Sequence, residues 1–580
     1  MARPFSGKPH IGENRITRKN GVTYVYERTT QYNPETRKTM TTSTKLIGKI
    51  PPGETEVVAT RRRKPNGYRK TEGLAARRHV GLTDILEWAG RESRIDHDLQ
   101  ACFNAGDAAK IQSIARYWLG TDGNTLPRLE GWQLMHELPY PYGISEDVYG
   151  ELFKSLGRDE GGIQGFFMAR AGRLSTRPVI ACDSTTISTY SQNQHEARRG
   201  FNKDGDGLDT IKLLTLYSVR DEEPIAYAKQ PGNVPDVICI DNAIEQFKCL
   251  GIDRPLVATD TGYCSERNLC ELCRRNMKFL TLVDTDVKMA RTAVDTLREA
   301  LESMGAVCPF DCHVSGAMTT AMHEFSFRRE RSRNGIAAGE IEKFSRRLYL
   351  YAFKSSELKD DHELAFRKKL MELKQQLEEG MTDFTETARE RIAKYLVCSR
   401  AGRGGRLHVS FNEEACAKAR EYFGCFVLVS NAPLAVFEAL EDYRMRERIE
   451  ELFQDEKGSV DGRRPRIWYP DALRGRMFVQ FIALCYRCFI VKKIKAVKEM
   501  LGKDDGKKTA RRLDLEKGLL NWLKQRSLAQ IFDWFDCLEE TTVKTGAGAG
   551  DGLRNQWRGT SSSWSCWALP NREAIIRFLG

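Results

Sequence analysis

The stretch YRMRERIEELFQDEK, Tyr443–Lys457, decides how this chain is read. Wound as a helix at about 100° per residue with Tyr443 at zero, it puts Arg446 near ~300°, Glu450 near ~340° and Lys457 near ~320°. The four side chains share one narrow stripe. Met445, Ile449, Leu452 and Phe453 fall at roughly 180–280°, a separate apolar stripe suited to a core. A carboxylate between two cations and a phenol can hold a metal ion against a nucleic-acid backbone. Alone, the same stripe also describes a solvated charged face, since Glu and Arg are common on helix surfaces. The rest of the chain has to separate the two.

Upstream, PVIACD (Pro178–Asp183) and PLVATD (Pro255–Asp260) read as short buried strands, each ending in an acid. Between them lie expected strands at Lys212–Val219 and Pro224–Gln230 and a helix near 236–250; a helix at Ser265–Asn276 and a strand at Lys278–Val283 follow. Cys425–Val429 reads as a further strand, and Ser430-Asn431-Ala432-Pro433 as the start of the helix carrying the opening motif, with Gly458 as its stop. Neighbouring strand ends of an α/β sheet bring Asp183 and Asp260 to one rim, and Glu450 arrives from the helix. Converging carboxylates repel unless cations neutralise them. Hard oxygen ligands suit Mg2+ or Mn2+, and a pair of ions serves in-line phosphoryl transfer. Each aspartate alone fits a turn or cap equally well. The joint pattern carries the reading.

At 580 residues the chain needs several domains, and 41% hydrophobic with 29% charged residues suits a soluble globular protein. The longest apolar run, Phe478–Val491, is broken by Gln480 and Arg487 and reads as a buried helix, not a membrane span. The first residues lack the apolar core of a secretion signal. Sixteen dispersed cysteines read as reduced thiols of a cytoplasmic protein. Residues 1–80 hold 18 Lys/Arg and 6 Asp/Glu, so the whole +12 excess sits there, while the other 500 residues balance at 73 of each sign. That asymmetry suits a polyanion partner, although a solvated basic tail has the same composition. Val22–Arg28 and Lys38–Ile50 read as strands of this basic segment, joined by a turn at 32–35 and followed by an Arg61–Lys70 linker. Residues 81–175 read as helical, with candidates at Leu82–Arg91, Leu99–Asn104, Ala108–Trp118 and Ser145–Leu156.

The residues around these acids resemble the DDE transposases of bacterial insertion sequences, whose third acid sits in a Tyr-x2-Arg-x3-Glu-x6-Lys signature. All four signature positions match. Likeness extends to Asp-Ser-Thr-Thr at 183–186, to PGNVPD at 231–236, to VATDTGY around Asp260 and to the YVYE…KLIGKI module. The resemblance implies an α/β, RNase H-like catalytic core in two parts, 176–284 and 425–498. An insertion domain at 285–424 would interrupt it. A basic β-rich module at 1–80, a helical region at 81–175 and a basic, flexible tail at 499–580 would flank it. It implies that Asp183, Asp260 and Glu450 bind divalent ions, Mg2+ or Mn2+ and two in number, and that Tyr443, Arg446 and Lys457 contact DNA. Implied partners are double-stranded DNA, both element ends and target, and further copies of the chain in a dimer or larger synaptic complex. The implied location is the bacterial cytoplasm, at the nucleoid.

Other signals are weaker. Cys308, Cys312 and His313 have some likeness to a zinc site, but buried thiols are the commoner reading. Asp204, Asp206 and Asp209 imitate a calcium loop without its closing Glu and suit a polar turn better. His195 reads as a solvated loop residue. No HExxH or GxxxxGK[ST] occurs. A metal-dependent nuclease of the same fold, or a decayed element kept as a DNA-binding protein, remains an alternative. The charge distribution yields one expectation: deletion of residues 1–80 weakens DNA-end binding and flattens its salt dependence, read from retardation assays across a salt series.

Overall fold

The computed structural model describes residues 8–33, 38–59, 74–328, 339–400, 407–446 with 449, 467–501, 503 and 509–549, less 177, 192, 201, 203, 204, 235, 546 and 547. Glu450, Lys457, Leu452, Phe453 and Gly458 lie outside these residues, as do the expected linker at Arg61–Lys70 and half of the expected turn at 32–35. The chain divides into two compact units, Met1–Ala75 with Val543–Asp551, and Ala76–Thr542 with the last residues.

The first unit is an antiparallel sheet of β1 (His10–Thr17), β2 (Thr23–Asn33), β3 (Lys38–Ile50) and β4 (Val58–Ala59), in that order. Strands β2 and β3 meet the expectation from their β-branched and aromatic residues. Strand β1, HIGENRIT, has no clean alternation because it is an edge strand with Ile11 and Ile16 both exposed.

In the second unit, β5 (Leu74–His79), begun in the first, leads into helices α1 (Gly81–Glu92), α2 (Ile95–Cys102), α3 (Ala105–Gly120), α4 (Leu129–Gln133), α5 (Glu146–Arg158) and α6 (Glu160–Ala171). Sequence periodicity found four of these. It missed α6, EGGIQGFFMARA, because three glycines depress its helix propensity. Tertiary packing overrides that penalty: the Asp159 side chain caps Gly162 N at 2.9 Å, and Phe166 and Phe167 are buried.

One mixed sheet dominates the unit. Its strands are β6 (Val179–Thr189), β7 (Asp209–Ser218), β8 (Glu223–Pro231), β9 (Leu256–Thr259), β10 (Lys278–Val283), β11 (Val307–Cys308), β12 (Asp311–Arg328), β13 (Ile341–Ser355) and, after the two-stranded β14 (Leu396–Arg400) and β15 (Leu407–Phe411), β16 (Cys425–Ser430). Nine strands lie in the order β11-β12-β13-β16-β10-β9-β6-β7-β8. β6 runs parallel to β9, and β9 to β10, while β7 is antiparallel to β6 and β8. Helices α7 (Asp236–Cys249), α8 (Glu266–Arg274) and α9 (Lys288–Leu301) follow β8, β9 and β10; α10 (Ser356–Glu378), α11 (Glu386–Tyr395) and α12 (Glu413–Arg420) lie between β13 and β16; α13 (Val436–Arg446) follows β16. The polar stretch after residue 285 thus begins by lengthening this same sheet, since β13 pairs with both β12 and β16.

One strand expectation needs correction. The segment containing Asp183 does not end there: β6 runs on to Thr189, and every residue from Ile180 to Thr189 pairs with β7. The polar Ser184-Thr185-Thr186 looked like a strand end, yet threonine is β-branched and suits a pleated sheet. All eleven residues of β6 are buried.

The long helix Pro470–Met500 contains the expected Arg474–Lys495 and packs across α5. No helix among the described residues is long and apolar enough to cross a membrane. The crossing is set by two glycines: a Cβ on Gly157 would lie 1.8 Å from Asp471 O, and one on Gly475 2.0 Å from Phe153 O. No backbone can yield that much without separating the helices. Gly157→Ala and Gly475→Ala should each cost about 3 kcal/mol or more, seen as a lower urea midpoint at unchanged m-value.

Candidate active site

Asp183 sits mid-strand in β6, 8% exposed, and its Oδ1 accepts the Ser184 N–H at 2.7 Å. Asp260 follows the last residue of β9, with its side chain 42% exposed. There it caps the 3-10 turn Thr261–Tyr263, accepting Thr261 N–H at 2.7 Å and Thr261 Oγ1–H at 3.3 Å. The parallel register of β6 on β9 runs Val179↔Leu256, Ile180↔Val257, Ala181↔Ala258. Two residues further at the same offset, Asp183 comes opposite Asp260. The pairing with β9 has ended by then while that with β7 continues, so the two acids stand where the strands part.

Helix α13 brings the next two residues. Tyr443 OH donates to Asp260 Oδ1 at 3.4 Å, and an Arg446 guanidinium nitrogen lies 4.0 Å from the same oxygen. The guanidinium also lies 5.2 Å from the centre of the Tyr443 ring, a cation–π distance. Both side chains are buried, at 7% and 4% exposure. Ile449 is fully buried and Met445 packs on the core, as their stripe implied; Tyr443 belongs to that core too.

The helix is held in place from its origin. Asn431 accepts Phe279 N–H at 3.1 Å and donates to Met277 O at 2.9 Å, fastening the end of β16 to the start of β10. Tyr351 OH, from β13, accepts Leu434 N–H at 2.8 Å and faces the carbonyls of Ala432 and Leu434. Farther along, Arg220 in the β7–β8 turn reaches Asp442 at 2.8 Å and Glu438 at 2.8 Å, and Arg444 reaches Asp311 on β12 at 2.7 Å. Burial pushes the Asp442 carboxyl above its ordinary range, and the Arg220 hydrogen bond opposes it. Sequence reading missed Arg220. No pattern signals a partner 222 residues away.

Weaker signals resolve blandly. Asp206 Oδ1 accepts from Asn202 Nδ2 at 2.6 Å and Leu208 N–H at 3.2 Å, a polar turn. Cys312 and His313 are exposed while Cys308 is buried, and the three form no ligand cluster. His195 is exposed, at a cleft lined also by Lys154, Arg158 and Arg474. The cysteines whose side chains are described are free thiols.

A family profile described as a transposase DDE domain matches residues 174–486, more than half of the chain and the whole span from β6 into the long helix. The chain belongs to the DDE transposase family. It is therefore a DNA transposase, an enzyme that cuts and joins polynucleotides, of a family that uses divalent metal ions. No curated protein matches the sequence. Among solved structures, a cryo-EM structure of the piggyBac transposase synaptic complex with hairpin DNA aligns at 10% identity over 83% of this chain and 85% of that one. Its TM-score of 0.31 is too low to carry an argument.

The network around Asp442 gives a stability expectation. Arg220→Ala leaves a buried carboxylate without its main partner and should cost about 1–2 kcal/mol, discounted because Arg220 is 39% exposed. Asp442→Asn in the Arg220→Ala background should restore most of that loss, measured as a double-mutant cycle in urea.

Proposed function

We propose that Asp183, Asp260 and Glu450 are the catalytic acids of this transposase and hold its divalent ions, Mg2+ or Mn2+ and two in number. The observation that supports this best is the common register of Asp183 and Asp260, with the chain of the Tyr-Arg-Glu-Lys signature arriving over Asp260. The donor set fits the ions: two carboxylates at one sheet position are hard oxygen ligands in need of positive charge, and here Arg446 supplies some of it. Bound Mg2+ would activate the attacking oxygen and stabilise the leaving one.

The protein's own groups do the rest. The sheet fixes the separation of the two aspartates. Arg446 and Tyr443 orient the Asp260 carboxylate from the helix side, and we assign them, with Lys457, to holding DNA phosphates and bases beside the cut. The strand order β8-β7-β6-β9-β10, with β7 alone antiparallel to its neighbours, supports an RNase H-like core. In this reading 176–284 and 425–498 form that core, 285–424 is its insertion, and 81–175 with the basic module 1–80 binds element ends. The matched signature supports an origin in a bacterial insertion sequence. Two ends must be cut in concert, which requires at least a dimer on the DNA.

The test uses purified protein, Mg2+ and labelled element ends. Asp183→Asn, Asp260→Asn and Glu450→Gln should each lower cleavage about 1,000-fold, roughly the 4 kcal/mol expected from losing metal stabilisation, with end binding retained. Intact cleavage in any of the three would remove that residue from the site. Cut ends that are never joined to target would make the protein a nuclease of the same fold.

A further inference from the structure

Far from these acids in sequence, three side chains converge that the transposase chemistry does not use. His79 ends β5, His136 follows α4, and Asp536 ends the helix Leu528–Asp536. One ring nitrogen of each histidine and a carboxylate oxygen of Asp536 lie within 4.8 Å of one another. This is the one such cluster among the described residues.

The hydrogen bonds say how the rings are oriented. His136 Nδ1 lies 2.8 Å from Trp132 O, and its Nε2 lies 2.8 Å from Asp536 Oδ1. Both nitrogens face oxygen acceptors, but a neutral imidazole has only one N–H. With that hydrogen given to the carbonyl, Nε2 meets the carboxylate in one of two ways: as a second N–H of an imidazolium, or as a lone pair with a metal cation drawn between them. His79 is placed differently: Nδ1 faces Asp536 O at 2.5 Å with Asp536 Oδ2 3.9 Å away, and Nε2 lies 4.0 Å from Glu539 Oε1. A backbone carbonyl that fixes the tautomer is the usual support of a metal-bound histidine. The surroundings are firm. The His136 ring stacks on Trp132 at 3.7 Å and its side chain is 5% exposed, while Val80 N–H donates to Leu538 O at 2.9 Å.

We propose that His79, His136 and Asp536 bind a divalent transition-metal ion of the zinc class, with Glu539 or water as fourth ligand, clipping the start of the helical region to the C-terminal helix. Imidazole nitrogen with carboxylate oxygen selects Zn2+ over Mg2+, which takes oxygen. Tetrahedral ligands at about 2.0 Å from Zn2+ stand ~3.3 Å apart, so the Asp536 carboxylate, 30% exposed, has to swing back only slightly. No bond is made or broken, so the role is structural.

The experiment takes the full chain, stripped with chelator and titrated with Zn2+ or Co2+ in excess Mg2+, which keeps the all-oxygen acids occupied. Wild type should bind one equivalent more Zn2+ than His136→Gln or His79→Gln, and the added Co2+ should show the visible absorption of four-coordinate nitrogen–oxygen ligation. Zn2+ should also raise the Tm of wild type and leave that of the variants unmoved. The cysteines are common to all three proteins, so they cancel in the difference. His79 is the more exposed histidine, and its variant guards against misfolding in the other; the metal-free urea midpoint certifies each. Equal Zn2+ counts and equal Co2+ spectra in wild type and both variants would overturn the proposal and leave a His–Asp ion pair only.

Discussion

Two like charges at one position of adjacent strands are the constraint around which this molecule is arranged. Unit charges about 5 Å apart repel by about 3 kcal/mol at an effective dielectric near 20, and a sheet cannot relieve that by moving one strand. Positive charge has to be delivered from outside the sheet. Helix α13 brings it as Arg446, and the groups that seat α13 (Asn431, Tyr351, Arg220 and Asp311) keep it there.

Much of this was legible in the sequence because short apolar runs such as PLVATD and KFLTLV can hardly be anything but buried strands. The four-residue signature was legible too, since a helix repeats simply enough to map spacing onto a face. Other features lacked a local signal. Asp183 lies inside a strand because β7 pairs past it, a fact that belongs to β7. The glycines of α6 argue against a helix until Phe166 and Phe167 find a core. β12 and the first residues of β13 alternate between half-buried and exposed, so polarity alone made them look like a break in the sheet. Ion pairs such as Arg220–Asp442 cannot be seen in one chain read linearly.

The hairpin of β12 and β13 also changes how the middle of the chain is pictured. It shares a ladder with β16, the strand from which α13 departs, and Tyr351 on β13 holds the turn between them. Strain reaching the hairpin therefore has a short, hydrogen-bonded route to the helix over Asp260. A separate domain on a linker would have no such route.

That pinned turn has a consequence for how the gene can vary. A helix counted from a fixed origin converts chain length into direction: each added residue turns everything beyond it by about 100° and advances it by ~1.5 Å. Between Asn431 and Arg446, a codon gained or lost aims Tyr443 and Arg446 away from Asp260. Just upstream the rule reverses. The chain spends residues 356–424 between two neighbouring strands, β13 and β16, whose ends must meet whatever lies between. Length is free on one side of β16 and frozen on the other.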